Sequence, residues 1–187
     1  FATLPSVNAT VPAGPVGGRV SFTPSASTTL SGAAIANLDL LIDGVFQSRI
    51  TPGQQFSINT LPLADGWHEL RILAYDNTLV KNTGRWIGTL NVNNFGRAAT
   101  LGVLPPSGDM TTLFTASAGG SGGTITAARL LHNGRVVAAS TSLPAALQVY
   151  GRNLGSGLSR VQLEVEFADG LLARSAPVNL DIAYTVG

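Results

Sequence analysis

The chain has 187 residues, of which 44% are hydrophobic and 11% are charged, and its formal net charge is +1. This balance excludes a disordered chain, which needs few apolar residues and a high net charge, and it gives no overall attraction to nucleic acid. The absence of cysteine excludes disulfides, thiolate catalysis and zinc–thiolate sites. Since Glu and Lys are scarce, the composition favours strands and turns over long helices.

The first half of the chain contains two segments with the alternation of half-buried strands. In NLDLLIDG, residues 37–44, every second residue is apolar, and the final Asp43 and Gly44 predict a type I′ hairpin turn. The second segment is ADGWHELRILAYD, residues 64–76. One face of this strand carries His68, Leu70, Ile72 and Ala74, and the other carries Trp67, Glu69, Arg71, Leu73 and Tyr75. We expect the first set to face the core.

The second half repeats this arrangement at an offset of about 90 residues. AARLLHNG, residues 127–134, corresponds to the first segment, and VQLEVEFADG, residues 161–170, corresponds to the second. Closing strands are predicted over 86–92 and 176–184. The fold class we predict is therefore all-β, with two tandem antiparallel β-sandwich domains over residues 1–94 and 95–187.

The first half resembles a bacterial immunoglobulin-like domain. The matching motifs are IDG at 42–44, DGWHEL at 65–70 and AYD at 74–76, within a match that covers roughly residues 7–93. The second half keeps the order of strands but has no histidine at the head of its long strand. The resemblance implies immunoglobulin-like β-sandwiches of the kind that serve secreted bacterial proteins as spacers, adhesin stalks and accessory units of extracellular hydrolases.

Catalytic and metal-binding chemistry finds little support. We expect His68 to have a structural role at the rim of the sandwich, with a ring nitrogen bonded to a loop carbonyl. His132 is the other histidine and belongs to the other predicted domain, which argues against a two-histidine metal site. GGSGG, residues 119–123, matches a nucleophile elbow, but a strand is predicted to follow it where that motif needs a helix. We predict a flexible glycine-rich loop there, no catalytic residues, no metal and no cofactor.

The outward side of the strand at 64–76 offers the candidate binding residues. Trp67 and Tyr75 flank Glu69 and Arg71, and exposed aromatic rings on a flat sheet can stack on sugars or bury against a partner. The alternative is that Trp67 packs under a loop or against the second domain. Trp86 is a further candidate with the same two interpretations.

Two functional hypotheses follow. The chain begins with Phe1, and its one methionine is Met110, so we expect a piece of a longer protein. The first hypothesis is a non-catalytic spacer or protein-interaction region of a secreted or cell-surface bacterial protein. The alternative is a carbohydrate-binding accessory module of an extracellular hydrolase. The expected partners are other domains of the parent protein and a protein or polysaccharide. We expect no nucleic acid and, because no apolar run approaches ~20 residues, no membrane contact.

Overall fold

The computed structural model describes residues 3–144 and 146–185, which divide into two compact units. The first consists of the residues up to Leu63 together with His68–Val92, and the second consists of Ala64–Trp67 together with the residues from Asn93 onwards. Strands account for most of the described residues. No helix in this part of the chain is long and apolar enough to cross a bilayer.

From residue 3 to the end of the first half, the described chain forms nine strands. They are β1 (Ser6–Asn8), β2 (Pro15–Val16), β3 (Arg19–Phe22), β4 (Ser25–Ser27), β5 (Ile35–Ile42), β6 (Val45–Ile50), β7 (Phe56–Asn59), β8 (Asp65–Asp76) and β9 (Thr83–Val92). The larger sheet has the order β2-β9-β8-β5-β6, and the pairs β1-β4 and β3-β7 lie opposite it. The two layers bury a common core of Phe22, Leu38, Leu40, Ile42, Phe56, Ile58, Leu70, Ile72, Ala74, Leu90 and Val92.

The second half follows the same plan. Its elements are β10 (Ala98–Leu101), β11 (Ser107–Asp109), β12 (Leu113–Ser121), β13 (Ile125–His132), β14 (Arg135–Ser140), β15 (Ala146–Tyr150), α1 (Gly151–Leu154), β16 (Gly157–Phe167), β17 (Leu172–Arg174) and β18 (Val178–Ala183). The larger sheet runs β11-β18-β16-β13-β14, and β10-β12-β15 forms the opposing layer. Their core includes Phe114, Leu130, Leu147, Val149, Val161, Leu163, Val165, Phe167, Leu180 and Ile182. The predicted all-β sandwich class is confirmed.

The backbone repeats in detail between the two units. The predicted hairpin turns place Asp43 and Asn133 each at φ 50°, and the glycine that follows each of them is also at positive φ. Such values are what a type I′ turn requires. The strand pair behind each turn has a register shift at the same point, after Leu40 in β5 and after Leu130 in β13. Strand order, turn geometry and irregularities therefore recur together.

The glycine-rich segment GGSGG differs from the predicted flexible loop. Gly119, Gly120 and Ser121 are the last residues of β12, where they pair with β10. A Cβ on Gly120 would lie 2.5 Å from the carbonyl oxygen of Ala98. At Gly120 the two backbones approach too closely for a side chain, which is a common reason for glycine within a strand.

The grouping of residues 64–67 with the second unit was not anticipated by the predicted boundary at residue 94. The carboxylate of Asp65 accepts backbone N–H bonds from Asn94 at 2.7 Å, Phe95 at 3.0 Å and Arg97 at 2.9 Å. Asp65 is 1% exposed. A carboxylate bound by three amides satisfies its own burial and fixes the backbone that donates to it.

Candidate functional site

Strand β8 has the alternation that its sequence indicates. From His68 to Asp76 every second residue is buried, and the residues between them are half-buried. The inward residues Leu70, Ile72 and Ala74 belong to the hydrophobic core of the first unit. Polar groups at the two ends of this inward row are buried as well, and each is bonded to backbone or to a neighbouring turn.

His68 binds the carboxylate of Asp43, a partner that the sequence pattern does not predict. Its Nδ1 lies 2.7 Å from Oδ2 of Asp43. The other carboxylate oxygen accepts the N–H of Glu69 at 3.0 Å, and the N–H of Asp43 donates to the carbonyl of Glu69 at 2.9 Å. These bonds fasten the β5–β6 turn to β8. Because His68 is only 2% exposed, its ring is a structural element of the sandwich rim.

Asp76 holds the loop between β8 and β9. Its Oδ1 accepts the hydroxyl of Thr78 at 2.6 Å and the N–H of Asn82 at 3.0 Å, and its Oδ2 accepts the side-chain amide of Asn82 at 2.7 Å. The hydroxyl of Thr78 is the main cause that lowers the pKa of Asp76 below its ordinary value, and burial opposes it. The ionised carboxylate thus binds both ends of the loop.

The outward face of the larger sheet carries paired charges around an aromatic ring. Arg49 binds both carboxylate oxygens of Asp39, at 2.6 and 2.8 Å. Its guanidinium also lies 5.7 Å from the centre of the Tyr75 ring. On β8 itself, Arg71 donates to Glu69 at 3.0 Å. Both arginines remain partly exposed, and ion pairs in contact with water contribute little stability, but these pairs fix side chains that would otherwise be mobile.

The five candidate binding residues do not form one group. Glu69, Arg71 and Tyr75 lie on the outward face of β8 in the first unit. Trp67 is half-buried within the second unit, where its carbonyl oxygen accepts the side-chain amide of Gln162 at 2.6 Å.

Trp86 lies on the inward side of β9. It packs against the core of the first unit, and a side chain on Gly88 would overlap its ring. The sequence contained this signal, because Trp86, Leu90 and Val92 share one parity along the strand.

Two exposed apolar features were missed at the sequence level. Phe46 on the edge strand β6 is 56% exposed, and it sits directly across from Leu41, whose other neighbour is Arg71. At the loop between β8 and β9, Leu79 is 105% exposed and Val80 is 84% exposed. The sequence indicated the second feature, because Leu79 and Val80 are an aliphatic pair inside a segment of turn-forming residues.

In the second unit the corresponding sheet face carries an ion network. Glu164 accepts Arg129 on one oxygen at 3.0 Å and Arg174 on the other at 2.9 Å. Arg129 also donates to Glu166 at 3.1 Å. The four charges neutralise one another. Among residues 3–144 and 146–185 there is no group of three or more potential metal ligands close enough to hold an ion.

No known protein family matches this chain, and no curated protein matches it. Similar solved structures include the fibronectin(III)-like modules of CbhA from Clostridium thermocellum, with 15% identity over 96% of this chain and 94% of that chain and a TM-score of 0.38. The tandem Ig repeats of Dlar are 15% identical over 98% of this chain and all of theirs, with a TM-score of 0.35.

A third similar structure is SGBP-B of the Bacteroides ovatus mixed-linkage glucan utilization locus, in complex with a mixed-linkage heptasaccharide. It is 14% identical over 94% of this chain, with a TM-score of 0.42, and this chain spans 47% of its length. Likenesses this weak say nothing about what the chain binds. The all-β sandwich class follows from the strand order and register of the chain itself.

Proposed function

We propose that this chain is a non-catalytic spacer or protein-interaction region of a larger secreted or cell-surface bacterial protein. The observation that carries the proposal is that the buried polar side chains of β8 are bonded within the protein itself. Asp65, His68 and Asp76 each bind the chain's own turns and backbone. The groups left on the outward face are aromatic, apolar or paired ions.

These polar groups are poorly placed for catalysis. A general base must reach the proton that it removes from a substrate. His68 is 2% exposed, and its Nδ1 is already bonded to Asp43. Asp65 and Asp76 are buried acceptors of several hydrogen bonds. A group that is both buried and saturated supports a structural role.

The contact surface that we propose is the outer-face patch, formed by Leu41, Phe46, Arg49, Arg71 and Tyr75. Leu41 lies between Phe46 on one side and Arg71 on the other, because it pairs with each of them across the sheet. Aromatic residues and Arg are enriched at protein interfaces and in their energetic centres. The ion pairs of Arg49 and Arg71 hold these side chains in place, which lowers the entropy lost when a partner binds.

The carbohydrate-binding alternative has weaker support. It needs Trp67 and Tyr75 to offer ring faces to a sugar. The guanidinium of Arg49 already lies over the Tyr75 ring, and Trp67 is half-buried. Retention on a polysaccharide that is lost in Trp67→Ala, with the fold intact, would favour this alternative over the protein-interaction role.

Photo-cross-linking in the full-length parent protein tests the proposal. A benzophenone amino acid replaces Phe46 in the producing cells, and the same residue replaces Thr89 as a matched control on β9, where the side chain is exposed. We expect cross-links to one defined protein or neighbouring domain from position 46 and none from position 89. A hydrolytic activity of the purified chain that a single substitution abolishes would refute the non-catalytic role.

A further inference from the structure

The loop that joins β8 to β9 presents an aliphatic tip to solvent. The N–H of Lys81 donates to the carbonyl of Thr78 at 3.1 Å, which closes a four-residue turn with Leu79 and Val80 at its centre. Their side chains are 105% and 84% exposed. Turn centres normally carry Gly, Pro, Asn, Asp or Ser for conformational reasons. Leu79 and Val80 depart from this preference and bury little surface in return, and such departures are expected at functional positions.

Hydrogen bonds to the Asp76 side chain hold this tip in place. The carboxylate of Asp76 accepts bonds from Thr78 on one side of the turn and from Asn82 on the other. Asp76 itself is fully buried. The loop therefore holds Leu79 and Val80 outward through bonds to the sandwich, and their exposure is a fixed feature of the fold.

Two further exposed aliphatic residues lie on neighbouring segments of the chain. The loop 28–34 is joined to it by two bonds, from the N–H of Ala34 to Oδ1 of Asn77 and from the N–H of Asn77 to the carbonyl of Ala34, both at 2.9 Å. This loop carries Leu30, which is 36% exposed, and the pairing of β1 with β4 brings Leu4, 62% exposed, to the start of the same loop.

The charge around the tip has one sign. The segments 3–5, 28–34 and 77–82 together contain a single charged side chain, Lys81, and no carboxylate. The nearest acid along the chain, Asp76, is buried and its oxygens accept the loop's own N–H and O–H groups. A convex aliphatic tip beside one ammonium group complements an apolar layer covered by negative charge.

The residue types at the tip favour a lipid surface over a protein pocket as its binding partner. Binding centres of protein interfaces are rich in Trp, Tyr and Arg, while Leu and Val are under-represented there and Lys is depleted. Leu and Val instead enter the acyl region of a bilayer favourably, and Lys gains from anionic headgroups. We propose that Leu79 and Val80 insert into the interfacial layer of an anionic lipid surface while Lys81 contacts the headgroup phosphates.

This peripheral contact departs from the sequence-based expectation of no membrane contact, which rested on the absence of an apolar run long enough to span a bilayer. Insertion of one loop needs no such segment, because two side chains enter the layer and the sandwich stays outside. One small apolar tip gives weak, reversible attachment, comparable in kind to the marginal binding of a single lipid anchor.

Vesicle sedimentation tests the proposal on the purified 187-residue chain. Vesicles of phosphatidylcholine mixed with phosphatidylglycerol are compared with vesicles of phosphatidylcholine alone. We expect retention on the mixed vesicles and weaker retention on the neutral ones. The double variant Leu79→Ser/Val80→Ser lowers retention by at least about tenfold, because each aliphatic side chain loses its transfer out of water. Lys81→Gln lowers it about fivefold on the mixed vesicles only.

The matched control removes another pair of exposed apolar side chains in the same unit, Val45→Ser/Leu61→Ser, where the residues are 62% and 54% exposed. This control should retain vesicle binding, and the thermal unfolding of the tip variant should match that of the wild type. The proposal is overturned if the wild type binds neither vesicle or if both double variants lose binding equally. Self-association that is lost in the tip variant, without vesicle binding, would instead identify a second copy as the occupant.

Discussion

Nδ1 of His68 lies 2.7 Å from Oδ2 of Asp43, and the other oxygen of the same carboxylate accepts the N–H of Glu69 at 3.0 Å. The side chain of Asp43 therefore fastens the β5–β6 turn to the neighbouring strand β8. The pairing joins residues 25 positions apart within the first unit. It also accounts for a histidine at the head of β8 without any catalytic role.

We expect Asp43→Ala to lower the free energy of unfolding of the first unit by about 2 kcal/mol, because it removes the carboxylate that binds the buried imidazole of His68 and the N–H of Glu69. Asn133→Ala is the matched change in the second unit, at the same turn position and the same φ. It removes the turn preference but no bond to a buried histidine. Urea unfolding followed by intrinsic fluorescence measures both, and equal losses would contradict the role assigned to the His68 contact.

Acid should weaken the first unit through Asp76. Its hydrogen bonds lower its pKa in the folded state, so the unfolded chain binds this proton more tightly than the folded one. The stabilisation is therefore fully present above the unfolded pKa of about 3.9 and is lost as pH falls through the lower folded value.

Asp76→Asn should flatten the acid dependence of the first unit, whereas the second unit, in which Asp109 and Asp169 also have lowered pKa values, should keep its own acid dependence. The measurement is the free energy of unfolding in urea across a series of acidic buffers. A slope that is identical in the variant and the wild type between neutral pH and the acid limit would contradict the linkage to Asp76.

Sequence patterns predicted the features that depend on neighbouring residues. The alternation of β8 places His68 inward and Glu69 outward, and Asp43 with Gly44 forms the expected turn. The contact of His68 with Asp43 could not be predicted in the same way, because it depends on the register between β5 and β8. The orientation of Trp86 could have been predicted, since it shares its parity with Leu90.

The glycine-rich segment illustrates the second limit. Glycine has a low strand propensity because it has no side chain to pack, so GGSGG indicates a loop when considered alone. Gly119, Gly120 and Ser121 nevertheless lie in β12. Glycine is needed at position 120 because the backbone of β10 passes too close for a side chain there. The exposure of Leu79 and Val80 is hidden for the same reason, since only the assembled sandwich determines which side chains are left uncovered.

Gly120→Ala should therefore destabilise the second unit, by about 2 kcal/mol, the usual cost of forcing extra atoms into a packed site. The adjacent Gly119→Ala is the matched control, since a Cβ there would meet its nearest neighbour, the carbonyl oxygen of Thr100, at an ordinary 3.7 Å. We expect that control to be neutral or slightly stabilising. Thermal unfolding distinguishes them, and equal effects would indicate that β10 and β12 can separate without cost.

Trp86, on the inward side of β9, should contribute far more to stability than Phe46 of the outer-face patch. Trp86→Ala should lower the free energy of unfolding by about 3 kcal/mol, because it removes a large ring that packs against the core and over Gly88 and leaves a void. Phe46→Ala removes a ring that is 56% exposed and should change stability by no more than about 0.5 kcal/mol. Urea unfolding of the two variants gives both values. Since the proposed interaction depends on Phe46, this variant should also lose the partner contact while remaining folded. A Trp86→Ala variant as stable as the wild type would show that its ring is dispensable to the core and would return it to the set of candidate binding residues.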